Sequence, residues 1–413
     1  MRSRAGLRLV ALVMVAGLVV AACGDDNKDD NSGGSGSGGS SGQQLTIGRV
    51  LPDTGPLAFL GPPMIVGTQL AIDDINAAGG VNGKDVKFLK GDEGETPQTA
   101  RETTNRLLGE GANVIIGAAA SGDIQEIIQK LSDQKVPECS GSATSPAFTD
   151  QKNADFFFRT VPPDNAVAPI ISDTVIADGA QKVTVVARAD DYGKALADLV
   201  KSQLTSAGAT VGDVVTYDPE ADSFTAEVDN VVAQAPDAVV VISFDEGGQV
   251  ISGLLEKGIK ASQLYGSDGV FGPTLPDLVK KGDPNVIDGM KVIGASGGEE
   301  FNNRIAGPTK NNFIYGGQTY DCTIVMALAA QAAKSNDGQK IMDQVVKVTE
   351  DGEKCTTFKA CKALLEDGKD IDYDGASGKI ELDAKGDPTQ GRYAVGQFTN
   401  GKLTIVSSKD TKV

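Results

Sequence analysis

The alternation of short apolar runs with longer amphipathic stretches is the feature that most constrains the fold of this chain. From Gln44 onward, runs such as "LTIGRVLP" and "ANVIIGAA" are followed by stretches such as "IVGTQLAIDDINAAGG" and "GDIQEIIQKLSDQ". The spacing of apolar residues predicts helices for the long stretches, and the short runs are typical of strands. Because strands that are joined through a helix run parallel, the pattern predicts an α/β protein with parallel sheets.

The rhythm occurs twice, which predicts two Rossmann-like lobes. It stops at "FFFRTVPPD" and restarts at "KVTVVARAD", and "GMKVIGAS" is a further strand before a long helix. In the tail, "KIELDA", "RYAVGQFT" and "KLTIVSS" predict strands, and Asn400-Gly401 between the last two is a strong hairpin signal. We expect the chain to cross between the lobes near Arg159, near Lys291 and in the tail. The expected limits are 44–160 plus 291–380 for the first lobe and 161–290 plus 381–413 for the second.

The start of the chain predicts export and anchoring. A basic opening with three arginines precedes the apolar run Leu9 to Val20, which is typical of a secretory signal and short for a membrane span. The residues that end at Cys23 resemble the bacterial lipoprotein signal, in which the cysteine is lipidated; an ordinary signal peptide with an incidental cysteine is the alternative. We expect residues 1–22 to be the signal peptide and residues 23–43, rich in Gly and Ser, to be a disordered tether.

Composition excludes several classes of function. A formal net charge of -18 argues against nucleic acid as a partner, because phosphate binding needs a basic face. The chain has no histidine, so a Ser/His/Asp or Cys/His triad and a His-ligated metal are impossible. No paired acid motif stands out either, and we expect neither enzymatic activity nor a cofactor. After Cys23 no stretch is apolar enough to cross a membrane, and we expect a monomer.

Four cysteines remain besides Cys23. An even number outside the cytoplasm predicts two disulfides. Cys355 and Cys361 could close a small loop before a helix, and Cys139 and Cys322 would then pair over a long range. Spacing favours this pairing but leaves three connectivities open.

One acidic motif suggests a different function, because the spacing of the acidic residues in "DIDYDGASGKIE" matches that of a calcium-binding loop. The matching positions are Asp370, Asp372, Asp374, Gly375 and Glu381. The context disagrees, since "KIELDA" alternates like a strand and Ser377 stands where such loops usually carry an apolar residue. We therefore expect no metal, with calcium as the alternative.

A series of motifs resembles a known family. "DTGPLAFLGPPMIVGTQLAIDDINAAGGVNGKDV" has Gly-Pro after the first strand, Ile-Asn at a helix end and then a Gly-Gly turn. "VIIGAAAS", "SGSATSPAFT", "FFFRTVPPD", "VARADDYGKALAD" and "GSDGV" follow in order. Together they resemble the amino-acid solute-binding proteins of ATP-driven importers, in particular the branched-chain type, over nearly the whole mature chain. The resemblance implies a type I periplasmic binding protein, with two doubly wound lobes joined by three crossovers that form a hinge.

The resemblance also implies where a ligand binds. Ser121, Ser142 and Thr144 match carboxylate-binding positions of the family, at strand ends where helix N-termini supply N–H groups; helix capping is the alternative. Tyr192 and Asp268 match a tyrosine and an acid that meet the ammonium group of the ligand. A carboxylate in a closed cleft is costly without a cation, so Asp268 favours an amine, and a turn aspartate is the alternative.

The side chain of the ligand would contact Phe59 and Leu60, which suit an apolar group. Leu60 stands where the family often has an aromatic residue, and a pocket tyrosine of some members falls near Ser243 or Phe244. Asp190 and Asp191, beside Tyr192, are interpreted as solvated loop charges. The residues therefore predict an amino acid, branched-chain or otherwise apolar, with a short amide or urea-like solute as the alternative.

The predicted function is that of an extracytoplasmic, lipid-anchored binding protein. It would capture an amino acid between two lobes and deliver it to the permease and ATPase of an importer. The alternative is a sensor of amino acids, which we expect to need a separate signalling partner.

Overall fold

The computed structural model describes residues 44–413; the predicted signal peptide, Cys23 and the tether lie outside this range. The strands are β1 (Thr46–Leu51), β2 (Lys87–Asp92), β3 (Val114–Gly117), β4 (Glu138–Ser140), β5 (Phe157–Arg159), β6 (Lys182–Arg188), β7 (Thr210–Val211), β8 (Val215–Tyr217), β9 (Ala238–Ile242), β10 (Leu264–Gly266), β11 (Lys291–Ala295), β12 (Glu353–Cys355), β13 (Ile371–Gly375), β14 (Gly378–Lys379), β15 (Gln390–Thr399) and β16 (Lys402–Lys412).

Helices separate most of these strands. They are α1 (Gly61–Ala77), α2 (Pro97–Gly109), α3 (Ser121–Asp133), α4 (Ala168–Ala177), α5 (Asp191–Ser206), α6 (Thr225–Ala233), α7 (Gly247–Glu256), α8 (Leu275–Val279), α9 (Glu299–Thr309), α10 (Gly316–Ala333), α11 (Gly338–Val345) and α12 (Phe358–Glu366). Short 3-10 helices span Pro146–Asp150, Ala261–Gln263 and Asp268–Val270.

The first sheet has the order β2-β1-β3-β4-β5, and all its neighbours are parallel. All six residues of β1 are buried, as expected for a parallel strand that is covered on both faces. Apolar residues of α2 and α3 form the core on one face, and those of α1, α10 and α12 form the core on the other. We call this sheet and its helices the first lobe.

The second sheet repeats the same order with β7-β6-β9-β10-β11, and β8 also pairs with β6. The hairpin of β15 and β16 extends it in antiparallel fashion beyond β11. The turn of this hairpin has positive φ at Asn400 (51°) and Gly401 (71°), as an Asn-Gly turn requires. We call this sheet and its helices the second lobe. The predicted α/β fold with two parallel sheets is therefore confirmed.

Two local expectations were wrong. Lys291–Ala295 does not begin the return to the first lobe, because it pairs with β10 and β15 and buries Val292 and Ile293 in the second core. The chain therefore leaves the second lobe after Ala295. The segment "KIELDA" is not a strand beyond Lys379, where β14 ends, and Leu382 makes only an isolated bridge.

Two disulfides tie the first lobe together. Cys139 on β4 is bonded to Cys322 on α10, and Cys355 on β12 is bonded to Cys361 on α12. This is the connectivity that the spacing favoured. Helix α10 is buried along nearly its whole length, which explains why its sequence is apolar on all sides. None of the helices within residues 44–413 is both long and apolar enough to span a membrane.

The acidic motif forms a hairpin whose side chains have other partners. Asp372 and Asp374 pair with Lys354 at 2.8 and 3.1 Å. A Cβ atom at Gly375 would lie 2.1 Å from the buried carboxylate of Asp321, so packing explains this glycine. The turn after it donates the N–H groups of Ala376 and Ser377 to Asp321. Across residues 44–413 no group of His, Cys, Asp or Glu is placed to hold a metal ion.

A buried ion pair joins two of the crossovers. Arg159, at the end of β5, is fully buried and donates to Asp387 in the third crossover at 2.6 and 3.1 Å. The same guanidinium donates to the carbonyls of Ala143 and Ser145, at 3.1 and 2.8 Å. One cation therefore fixes the loop that follows β4 relative to the hinge.

We expect Asp387→Ala to lower the free energy of unfolding by about 3–5 kcal/mol, because it leaves a buried guanidinium without its counter-charge. Urea unfolding of the disulfide-intact protein measures this. The control is Asp173→Ala, which removes an exposed partner of Lys409 and should change stability by less than about 1 kcal/mol. Equal effects of the two substitutions would contradict the role of the buried pair.

Candidate functional site

A small cavity lies between the two lobes, at the carboxyl ends of their parallel strands. Its empty volume is about 310 Å³, part of which opens to solvent. The first lobe contributes the residues that follow β1, β3 and β4, and the second lobe contributes the start of α5 and the residues around Asp268. In both sheets the strand order reverses next to this edge, which is where open α/β sheets bind ligands.

The first-lobe end of the cavity is built to attract an anion. Helix α3 begins at Ser121 without a side-chain cap, so its N-terminus can present N–H groups to a ligand. The hydroxyl of Ser121 accepts from the N–H of Ser145 (3.3 Å), and that of Ser142 donates to the carbonyl of Ala119 (3.1 Å). These bonds hold the two loops side by side.

Two buried acids lie behind this end. Glu93 accepts from the N–H of Ala119 at 2.6 Å, and its pKa is raised well above the usual range by burial and by the charge of Asp123. Burial also raises the pKa of Asp123 to about 7, although Arg188 opposes the shift. A raised pKa favours the neutral acid, so these groups repel an anion at the α3 N-terminus less than two carboxylates would.

The second-lobe end carries an acid. Asp268 is buried and accepts from the hydroxyl of Tyr192 (Oδ1, 2.8 Å) and from the hydroxyl of Tyr315 (Oδ2). Burial raises the pKa of Asp268, and the two tyrosine hydrogen bonds oppose that shift. Because Tyr315 belongs to the first lobe, its bond to Asp268 crosses the cleft. The site therefore places a buried acid opposite the hydroxyl-rich loops.

Aromatic and apolar groups complete the walls. The ring of Tyr192 stacks on Phe244 with centroids 5.3 Å apart. Leu57, Leu60 and Met64 line the first-lobe side and join the apolar cluster of the second lobe. This lining suits an apolar group of modest size.

Arg188 is the cation near this wall, and its charge is already paired. It lies 3.6 Å from the centroid of Phe244 and binds Asp190 (2.5 Å) and Glu246 (2.8 Å). Asp190 also accepts from the N–H of Gly193 and caps α5. The interpretation of Asp190 as a solvated loop charge was therefore wrong.

The structure brings five of the seven predicted ligand residues to the cavity. Ser121, Ser142, Tyr192, Asp268 and Leu60 line it. Phe59 is half-buried in the adjoining apolar cluster, and Thr144 is buried and does not line the cavity. The roles of all seven in ligand binding stay predictions.

Sequence reasoning missed Tyr315. This residue precedes α10 with φ 59°, a left-handed conformation that costs a tyrosine about 1–3 kcal/mol and is typical of functional sites. Its only sequence signal is the following Gly316-Gly317, which indicates a tight approach but not a contact with Asp268. Met64 and Leu57 were also not assigned to the walls, and Phe244 was named only as one of two residues, with Ser243, near a pocket position of the family.

Comparisons with known proteins agree with this architecture. A sequence profile described as periplasmic binding protein matches residues 44–402. "Leu/Ile/Val-binding protein homolog 3" of Brucella melitensis is 29% identical over 54% of this chain, and the match spans 61% of that relative's length. Homolog 1 of the same organism is 25% identical over 86% of this chain and 90% of its own. The "chemotactic signal transduction system substrate-binding protein BasB" of Halobacterium salinarum is 26% identical over 88% of this chain and 89% of its own length.

Solved structures share the fold. The leucine-binding protein LivK of Thermotoga maritima has a TM-score of 0.72 at 20% identity, over 88% of this chain and 98% of its own. LivJ of Streptococcus pneumoniae, in complex with isoleucine, has a TM-score of 0.71 at 22% identity, and the match covers 90% of this chain and 100% of LivJ. A solute-binding protein of Rhodopseudomonas palustris, in complex with 4-hydroxybenzoate, has a TM-score of 0.71 at 16% identity, and the match covers 90% of this chain and 97% of that protein.

These matches establish the class of protein to which the chain belongs. The family consists of binding proteins, which confirms the prediction that the chain is not an enzyme, and its periplasmic description implies a place outside the cytoplasm. The chain belongs to the periplasmic binding protein family, with the type I fold of the Leu/Ile/Val-binding proteins.

Proposed function

We propose that this protein is the solute-binding component of an ABC importer and that it captures an amino acid with a branched or otherwise apolar side chain. The observation that carries the proposal is the opposition of two ends within one cavity. The uncapped α3 N-terminus with Ser121 and Ser142 faces the acid Asp268 and its tyrosines. The first end suits the carboxylate of a zwitterion, and the second suits its ammonium group.

The division of these ends between lobes supplies the mechanism. The donors for the carboxylate lie in the first lobe and Asp268 lies in the second, so only a closed cleft satisfies both charges of the ligand. A ligand that makes extra contacts in the closed form shifts the population toward it. The permease of the importer would then recognise the closed shape.

The apolar wall supports the assignment of the side chain. Leu57, Leu60, Met64 and the ring of Phe244 surround the cavity between the two polar ends. The names of the curated relatives point the same way, since those relatives are named as homologs of Leu/Ile/Val-binding protein.

The proposal includes a lipid anchor at Cys23. Its support is the sequence alone: a basic and apolar leader, small residues before the cysteine and a Gly/Ser-rich stretch after it. Labelling cells with a fatty-acid analogue tests it, because Cys23→Ser should abolish labelling and release the protein from the membrane fraction.

A sensor of amino acids is the second candidate, and the relative BasB favours it, since its name assigns it to chemotactic signal transduction. Uptake of labelled ligand by cells separates the two. Deletion of an importer component lowers uptake, whereas deletion of a sensor changes only the response to the ligand.

We expect leucine, isoleucine or valine to raise the melting temperature, because a ligand at a hundred times its Kd adds about 2.7 kcal/mol to the stability of the form that binds it. A thermal-shift panel measures this, with 4-hydroxybenzoate, urea and acetamide as the other arms. A shift with 4-hydroxybenzoate or an amide and none with any amino acid would contradict the proposed ligand class.

We expect Asp268→Asn to weaken amino-acid binding by roughly 10- to 100-fold, because a hydrogen bond to a charged group contributes about 1.5–3 kcal/mol. Isothermal titration gives the affinity. Asp277→Asn, the same change at an exposed position of α8, is the matched control and should bind as the wild type does. Undiminished binding by Asp268→Asn would refute the role of this acid.

A further inference from the structure

The two lobes bond directly to each other across the cleft. The hydroxyl of Tyr315, from the first lobe, donates to Oδ2 of Asp268, from the second, and both side chains are buried. A backbone bond also joins the lobes, since the N–H of Asp245 in the second lobe donates to the carbonyl of Pro56 in the first at 3.4 Å. The chain therefore supplies hydrogen bonds of its own between the lobes.

Apolar contacts accompany these bonds. Leu60 and Met64 of the first lobe belong to the same buried apolar cluster as Phe244 and Phe271 of the second. A Cβ atom at Gly272 in the second lobe would lie 3.5 Å from the side chain of Leu60, which is ordinary van der Waals contact. The closed cleft is thus an interface between two surfaces of the protein as well as a container for a ligand.

The first lobe fixes the position of Tyr315. Its carbonyl accepts from the N–H and from the hydroxyl of Thr319, in the first turn of α10, at 2.9 and 2.8 Å. The next residue is packed between helices, because a Cβ atom at Gly316 would lie 2.8 Å from the side chain of Ile305 and 3.1 Å from the carbonyl oxygen of Pro63. The hydroxyl of Tyr315 is therefore a donor that moves with the first lobe.

The second lobe holds Asp268 through a different tyrosine. The hydroxyl of Tyr192, at the start of α5, donates to Oδ1 of Asp268 at 2.8 Å and lies 2.7 Å from Oγ of Ser267. The N–H of Gly269 in turn donates to the Tyr192 hydroxyl at 3.3 Å. These groups belong to one lobe, so their bonds survive a movement between the lobes, whereas the bond from Tyr315 breaks when the cleft opens.

We infer that Tyr315 is a latch between the lobes, whose hydroxyl stabilises the closed cleft by its bond to Asp268. Burying an acid in a closed cleft is costly, and a hydrogen bond that forms only on closure offsets part of that cost. Tyr192 has the other role and keeps the acid in place within its own lobe. The inference goes beyond the proposed function, because it concerns the equilibrium between open and closed forms and not the chemistry of the ligand.

A latch differs from a ligand contact in one measurable way, because a latch acts when no ligand has been added. Loss of the latch shifts the protein itself toward the open form. Ligand affinity then falls as a consequence, since the apparent affinity is reduced by the fraction of molecules that are competent to bind. A residue that only contacts the ligand changes the affinity and leaves the ligand-free protein as it was.

The decisive measurement is small-angle X-ray scattering of the protein without added ligand. Tyr315→Phe keeps the ring in the wall of the cavity and removes only the donor. We expect its radius of gyration to exceed that of the wild type, because fewer molecules are closed. Tyr320→Phe is the matched control, since it is the same change on the same helix at a hydroxyl that donates to Asp74 (2.7 Å) away from the cavity. It should scatter as the wild type does.

Isothermal titration with leucine gives the second readout. We expect Tyr315→Phe to bind leucine roughly tenfold more weakly, because the lost bond is one to a charged group. Tyr320→Phe should keep the affinity of the wild type. Circular dichroism verifies that each variant is folded, and Tyr315→Leu, which also lacks the donor, replaces Tyr315→Phe if that variant does not fold.

The outcomes separate the inference from the proposed function. Equal radii of gyration for wild type and Tyr315→Phe overturn the inference, even where leucine binds more weakly, because Tyr315 would then be a ligand contact and not a latch. Unchanged or tighter leucine binding by Tyr315→Phe overturns it as well. If the wild type binds none of the amino acids, the proposed function fails, and the scattering comparison still decides whether Tyr315 holds the lobes together.

Discussion

The constraint on which this structure depends is that parallel strands place all their carboxyl ends at one edge of a sheet. Both lobes have the same strand order, and in both the edge with the helix N-termini faces the cleft. The site needs no unusual secondary structure as a result. Because both sheets are parallel, polar groups that follow β3 and β4 line the same cleft as polar groups that follow β10. The helices pack on the faces of the sheets, so loops form the walls of the cleft.

Buried charge is the cost of this arrangement. Arg159 is neutralised by Asp387, and Arg188 is neutralised by Asp190 and Glu246, so each of these two cations already has a partner in the protein. Asp268 is buried at the cleft without such a cation. A buried acid without a counter-charge raises the free energy of the form that buries it.

Much of the fold follows from local sequence, but the details of the site do not. Apolar periodicity located most of the long helices and central strands of both lobes, and Asn400-Gly401 predicted the hairpin, because these signals depend on neighbours along the chain. It gave no prediction for α4, α8, α9 or α11. The predicted return of the chain to the first lobe was placed near Lys291, before β11, although it occurs after Ala295. The sequence could not show this, because only the pairing with β10 and β15 assigns β11 to the second sheet. Ser121 and Asp268 could be found from family motifs. Tyr315 could not, because its place at the site arises from a contact with Asp268, 47 residues away in sequence.

The disulfide between Cys139 and Cys322 has a consequence for how the protein matures. Its two cysteines are 183 residues apart, and every parallel strand of the second lobe lies between them. Cys139 is on the strand that leads to Ser142, and Cys322 is on the helix that Tyr315 precedes. The covalent ring that fixes these two parts of the site can therefore close only after the intervening lobe has been synthesised. Formation of this disulfide therefore needs an oxidising compartment and joins two segments that line the cavity.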